Sequence, residues 1–337
     1  MKRDAFLWHG CLFMKRRTKI ISVNNITDFL SDFLLPNGKL KGLLNRFVFR
    51  GEATKGFALL PSILREYPNN VSIKWLNSSL YNLEHPTGSQ IELASLELIL
   101  LRKFYQLSNE KGLVLPPCDI LQCDELTAMR SLVRFKYWYP QECDTRDYIA
   151  LKTVAALAQH YGLPTRFLDW THDIRIALYF ASSMYSRPQS QVSNVIEDDA
   201  MVIWAIDKLF FDNCSSIVAL PIKFLTPLYY MNPNICSQNG TLSYCDEELK
   251  PCDSVQRIPL DDIIENMSLD SHPLKDNCDK PLLWKFEIPV SQRESLLEYL
   301  KQIGVNASSV FKGDYFKSVA AAIKEEAFQS NTKKDER

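Results

Sequence analysis

Gln159-His160-Tyr161-Gly162-Leu163-Pro164-Thr165-Arg166-Phe167-Leu168-Asp169-Trp170-Thr171 is the densest run of chemistry in the chain, and its ends decide where helices stop and start. Ahead of it Tyr148, Leu151, Val154, Ala155, Ala158 and Tyr161 recur at helical spacing. Asp144 is placed to cap that helix, and Asp147 lies in its first turn. Gly162 stands where a helix C-terminal glycine belongs, and Pro164 forbids continuation. Asp173 then opens a further helix expected to bury Ile174, Ala177, Leu178 and Ala181 and to stop before Pro188. The run is therefore read as a constrained connection between two helices, where rigid elements hold polar side chains in place. A plain helix junction would use the same residues differently. His160 would bond a carbonyl, Arg166 would pair with Asp169, and Trp170 would plug the core.

Outward from this run the pattern divides. Towards the N-terminus, residues 25–35 read as a short helix with Thr27 and Asp28 as capping material, ended by Pro36-Asn37-Gly38. Residues 45–52 alternate around Phe47, Phe49 and Gly51 as a strand entering a loop, and residues 90–107 and 120–138 have helical spacing. Towards the C-terminus, residues 200–206, 217–225, 235–244 and 282–288 read as strands. Asp246-Glu247-Glu248 opens a polar surface excursion over residues 246–280, and residues 291–303 and 316–327 close the chain as helices. The expected class is α+β, with a mixed central sheet formed by one early strand and several late strands and with helices packed around it. The expected organisation is an extension at 1–22, one domain over 23–328, and a charged tail at 329–337.

Composition narrows the function classes. The 337 residues are 46% hydrophobic and 23% charged, with a formal net charge of −1, so no global field draws in nucleic acid or an anionic membrane. No apolar run approaches the roughly 20 residues of a membrane helix. The stretch Ala5-Phe6-Leu7-Trp8 is too short and broken for a signal-peptide core. Nine cysteines without C-x-x-C spacing, and five histidines without ligand spacing, fit neither a disulfide framework nor a metal site. The thiols are read as reduced, the location as cytoplasmic, and a membrane partner is not expected. No G-x-x-x-x-G-K loop is present to cradle phosphate.

Phe49-Arg50-Gly51, followed by His160-Tyr161-Gly162-Leu163-Pro164-Thr165-Arg166 and Leu168-Asp169-Trp170-Thr171, resembles the FRG domain family. Ala177-Leu178-Tyr179-Phe180-Ala181 fits that family's helix after the motif. Ile235, Gln238 and Gly240 resemble its late segment, and Gly304-Val305 through Phe311 its terminal one. The chain departs from the pattern at Glu52, where glutamine is usual, and at Phe167, where an aliphatic residue is usual. Asn234 stands where arginine often precedes the late segment, and Lys312-Gly313-Asp314 replaces Pro-Asp-Leu.

The order of features also resembles ADP-ribosyltransferases: an arginine ending an early strand, a Thr171 and Ala177-x-x-Phe180 helix opening, and polar Gln238 on a late strand. The resemblance implies Arg50, His160, Asp169 and Gln238 as catalytic residues. It implies Phe49, Gly51, Glu52, Tyr161, Thr165, Arg166, Trp170 and Thr171 as substrate-binding ones. Cleaving a nicotinamide–ribose bond builds positive charge on the sugar, which a carboxylate stabilises, and a guanidinium grips pyrophosphate or ribose through paired donors. Gln238 lacks that charge, so Glu52 or Asp169 is expected to supply it. Gly51 would let the backbone approach a ligand. The implied activity is an ADP-ribosyltransferase or NAD glycohydrolase with NAD as co-substrate and no bound cofactor or metal. The implied partners are a nucleotide ligand and a macromolecular acceptor or antitoxin-type protein, with nucleic acid only as an acceptor. The implied biology is a toxin or anti-phage defence effector. The alternative is a non-catalytic sensing module using the same cleft.

Overall fold

The computed structural model describes residues 17–65, 90–122, 145–183, 200–215, 220–229, 232–245, 257–267 and 280–311. Strand β1 (Thr18–Ser22) leads into helix α1 (Ile26–Leu34), which buries Ile26, Phe29, Leu30 and Phe33 along one stripe. Its cap is Asn25, whose Oδ1 accepts from the amides of Thr27 and Asp28, so those two residues donate to the cap rather than form it. Strand β2 (Val48–Glu52) follows, then helices α2 (Gln90–Glu110), α3 (Asp119–Gln122) and α4 (Thr145–His160). Gly162, at φ 83°, turns the chain out of α4. Strand β3 (Leu168–Thr171) runs into helix α5 (Ile174–Ser182), capped by the Asp173 carboxylate on the Arg175 amide.

The remaining elements are β4 (Ala200–Ile206), α6 (Lys208–Ser215), β5 (Ile222–Leu225), α7 (Pro233–Ser237), β6 (Gly240–Cys245), α8 (Leu260–Asn266), β7 (Leu283–Pro289), α9 (Arg293–Gln302) and α10 (Ala307–Val310). The fold is α+β around one seven-stranded sheet, ordered β1-β7-β4-β2-β3-β6-β5. It is mixed, because β1 pairs with β7 in parallel and the other neighbours are antiparallel. Besides the expected early strand β2, the sheet takes β1 and β3 from ahead of the four late strands. β1 lies at the end of the segment read as an N-terminal extension.

Alternation sorts the sheet's two faces. Phe49, Ile203, Ala205 and Phe286 pack with α1, α5 and α9 in one core. Val48, Val202, Trp204, Leu168 and Trp170 pack on the other face with Phe211 of α6 and Ile264 of α8. A third cluster joins α2 and α4 to Leu242 and Tyr244 of β6. Leu178 is fully buried, as its place on the α5 stripe predicts.

Three expectations change. The connection from Gln159 to Thr171 is not all loop, because its last four residues form β3, held between β2 and β6. Leu168 and Trp170 go into the core, and four residues pair with β6. The strand expected over 235–244 is divided into α7 and β6. Asn232 caps the helix through the Ile235 amide, and Pro233 takes the first helical position, where its missing N–H is not needed. Within the polar stretch 246–280, Leu260 and Ile264 are buried on α8. Of the strand expected over 217–225, Ile222–Leu225 forms β5 and residues 217–219 lie outside the described residues. The helix expected over 120–138 beyond Gln122, the closing helix at 316–327 and the tail at 329–337 also lie outside them. Among the described residues no helix is long and apolar enough to cross a membrane.

Candidate functional site

Strands β2 and β3 share one register pair, Phe49 with Thr171, and part beyond it. Arg50 stays in register with Trp204 of β4, while its guanidinium reaches across the parting. Nη1 donates to the Asp169 carbonyl oxygen at 3.0 Å, in place of a ladder hydrogen bond. Nε donates to Glu52 Oε1 at 2.7 Å, and Nη1 lies 3.9 Å from Asp169 Oδ2. Arg65 approaches the same Glu52 oxygen at 3.8 Å. Glu52 is thus a buried carboxylate between two guanidinium groups.

A cleft of about 310 Å³ opens where the strands part. Arg50, His160, Asp169 and Gln238 all line it, although they come from β2, the end of α4, β3 and the end of α7. Phe49, Gly51, Glu52, Trp170 and Thr171 also reach the wall. The side chain of Asp169 is 45% exposed, the most open of the carboxylates there. It is nevertheless held: Gln159 Nε2 donates to its Oδ1 at 2.6 Å, and Thr165 Oγ1 donates to Gln159 Oε1. His160 is half-buried with Nε2 sealed from solvent and without a partner among the described residues. Burial pushes the pKa of His160 below its usual 6.5, against the opposing pull of the Asp169 charge.

Gln238 ends α7 and does not lie on a strand. Its Nε2 donates to the Val310 carbonyl at 3.3 Å, and its own carbonyl accepts from Thr171 Oγ1 at 2.6 Å. Ser237 Oγ adds a second bond to the Val310 carbonyl at 2.8 Å. These contacts tie the end of α10 over the cleft, where Phe311 meets the edge of Phe180 at 5.8 Å between ring centroids.

Three of the sequence-predicted residues do not line the cleft. Tyr161 is buried in the α2–α4 core. Thr165 is fully buried behind Gln159. Arg166 pairs with the fully buried Glu97, through Nε to Oε2 at 2.6 Å and through its amide to Oε1 at 3.0 Å, and not with Asp169. Burial raises the Glu97 pKa, and Arg166 pulls it back down. Gly51 serves the fold more directly than a ligand: a Cβ there would lie 1.9 Å from the Ala177 carbonyl, because α5 crosses β2 at that point.

Sequence reasoning missed Arg65, Gln159, Asn234 and Phe311 on the cleft wall. Gln159 opens the motif run and was within reach of that reading. Asn234 and Phe311 lie in segments that carry the family resemblance, though neither was expected at the site, and Arg65 carries no local signal, since only the fold brings it there. Among the described residues no group of His, Cys, Asp and Glu is arranged to hold a metal ion.

The FRG domain family model matches residues 45–190, a span from just before β2 to just past α5. The match supports the FRG family and takes in Arg50, His160 and Asp169, but not Gln238 or Phe311. It covers less than half of the 337 residues. No curated protein and no solved structure matches the chain.

Proposed function

We propose that the cleft binds the nicotinamide end of NAD, or a related nucleotide, and cleaves the bond between base and ribose, passing ADP-ribose to water or to an acceptor. The observation that carries this reading is Asp169: a half-exposed carboxylate, oriented by Gln159 at 2.6 Å, on the wall of a cleft of about 310 Å³. Positive charge developing on the ribose as the base departs is stabilised by such a fixed carboxylate. Glu52 is less suited, being buried and already bonded to Arg50. The Gln238 amide is less suited again, since it is neutral and holds Val310. Arg50 and Arg65 supply positive charge for the phosphate side of the ligand. Ligand pockets typically span roughly 300–1,000 Å³, so this cleft takes a nucleoside-sized end of a dinucleotide.

A second reading, a binding module without turnover, is favoured by the engagement of Arg50 with Glu52 and the Asp169 carbonyl. Incubation of the protein with labelled NAD, alone and with cell extract, separates the two. Free ADP-ribose or labelled macromolecules, abolished in Asp169→Asn, support catalysis. Calorimetric binding of NAD without turnover supports the module. Neither heat at millimolar NAD nor turnover overturns the nucleotide assignment.

A further inference from the structure

The cleft wall carries two kinds of chemistry. Arg50, Glu52, Arg65 and Asp169 bring charge from β2, β3 and the segment after β2, whereas Phe180 and Phe311 bring rings from α5 and from the residue after α10. The two rings stand nearly perpendicular, at 85° and 5.8 Å between centroids. Buried Tyr179 backs this corner, 5.9 Å from Phe180 and 6.5 Å from Phe311. Phe311 is 41% exposed, and an exposed apolar side chain by itself is ordinary. This one is held in place on a concave wall. Its amide donates to the Ala307 carbonyl at 2.9 Å, and the Val310 carbonyl just before it accepts from both Ser237 and Gln238. The Asn306 capping box pins the other end of α10. The backbone therefore presents the Phe311 ring to the cleft instead of folding it into a core.

We propose that Phe311, with Phe180 beside it, is the seat for the nicotinamide ring, and so sets how far the nucleotide enters the cleft; the proposal rests on the nucleotide reading above. A planar ring stacked on Phe311 lies perpendicular to Phe180, because those two rings are themselves perpendicular. It then has an offset stack with one phenylalanine and an edge-to-face contact with the other, the two arrangements aromatic rings prefer. In NAD the ring is a pyridinium cation, which the negative face of a phenyl ring attracts. Once the base has left as neutral nicotinamide that attraction lapses, so the seat grips substrate better than product. Phe311 is on this account a positioning residue: it holds the base, while Asp169 faces the sugar. It lies outside residues 45–190, so the seat is completed by the C-terminal part of the chain and not by the family match alone.

The test compares the wild type with Phe311→Ala, Phe311→Leu and Phe311→Tyr, with a thermal melt of each as the check on folding. NAD affinity is read as KM during turnover, or as Kd by calorimetry if the protein binds without turnover. ADP-ribose, which lacks the base, is titrated alongside. Stacking of a base on an aromatic side chain is worth roughly 1–3 kcal/mol, so Phe311→Ala should weaken NAD by about tenfold or more, with kcat changing far less than KM. Phe311→Tyr should keep the affinity. Phe311→Leu should lose most of it, since leucine keeps the apolar bulk without the π face. ADP-ribose should bind all four proteins alike. Leucine that serves as well as phenylalanine overturns the proposal, as does an ADP-ribose affinity that falls in step with that of NAD, because Phe311 then only packs the wall. NAD affinity indifferent to Phe311 sinks this inference alone, whereas a wild type that neither binds nor cleaves NAD sinks it together with the nucleotide reading.

Discussion

Arg50 donates through Nε to Oε1 of Glu52 at 2.7 Å, between side chains two residues apart on the same face of β2. The same guanidinium spans the gap between β2 and β3 by bonding the Asp169 carbonyl at 3.0 Å. One arginine therefore neutralises a buried carboxylate and stitches the sheet at the place where its ladder parts. Each role has a measurable consequence.

Arg50→Ala should destabilise the fold by about 3–5 kcal/mol, because it leaves a buried charge with its closest counter-ion removed. Glu52 is then left with Arg65 at 3.8 Å. Adding Glu52→Leu to Arg50→Ala should recover part of the loss. Urea denaturation of the two single variants and the double variant checks this. Additive losses would mean that the pair is not energetically coupled.

Gly51→Ala should cost more than the about 1–3 kcal/mol usual for overpacking, because the atom opposing the new methyl is backbone and cannot rotate away. That atom is the Ala177 carbonyl, 1.9 Å from the Cβ position. A thermal melt of Gly51→Ala matching the wild type would show that α5 can lift from β2 freely.

Glu97→Ala should destabilise by about 3–5 kcal/mol, as expected when one member of a buried ion pair is removed. Glu97 is fully buried and receives both the Nε and the amide N–H of Arg166, so it clamps α2 onto the turn that carries the motif run. Chemical denaturation measures the loss. A change below about 1 kcal/mol, the value of an exposed pair, would contradict the clamp.

Stability should fall as the solution is acidified below about pH 6.5, and His160 should account for part of that fall. Its folded-state pKa is lowered from 6.5 by burial, so below that pH the unfolded chain takes up a proton that the folded one resists. The contribution is fully present above 6.5 and is lost as pH falls towards the depressed folded value. Denaturation midpoints of the wild type and His160→Gln, followed across this range, should converge at low pH. Parallel curves would remove His160 from the effect.

Local patterns carried much of the architecture. The α4 stripe ending at Gly162, the α5 stripe through Leu178, and the strands β2, β4 and β7 were all readable, because each is set by the period of its own apolar residues. The motif run was readable as a place, though not as a strand. Its turn chemistry, Gly162 and Pro164, is local, whereas pairing of Leu168–Thr171 with β6 is not. The Ile235 segment misled for a similar reason. Its β-branched and apolar residues look extended, and the Asn232 cap with Pro233 turns them into a helix. Local spacing also suggested that Arg166 would meet Asp169. Tertiary packing instead took Arg166 to Glu97 on a helix remote in sequence.

The sequence by itself determined the α+β class, the family resemblance, and the choice of Arg50, His160 and Asp169 as residues to watch, since these depend on residue type and short-range spacing. Only the tertiary structure decided which groups share the cleft and which are already engaged. It brought Phe311 and Arg65 to the wall, turned Gln238 towards Val310, and put Tyr161, Thr165 and Arg166 out of reach of the opening. The reason is that a side chain's hydrogen-bond partners are set by which strands and helices meet. That depends on contacts between residues far apart in the chain, which no local period encodes.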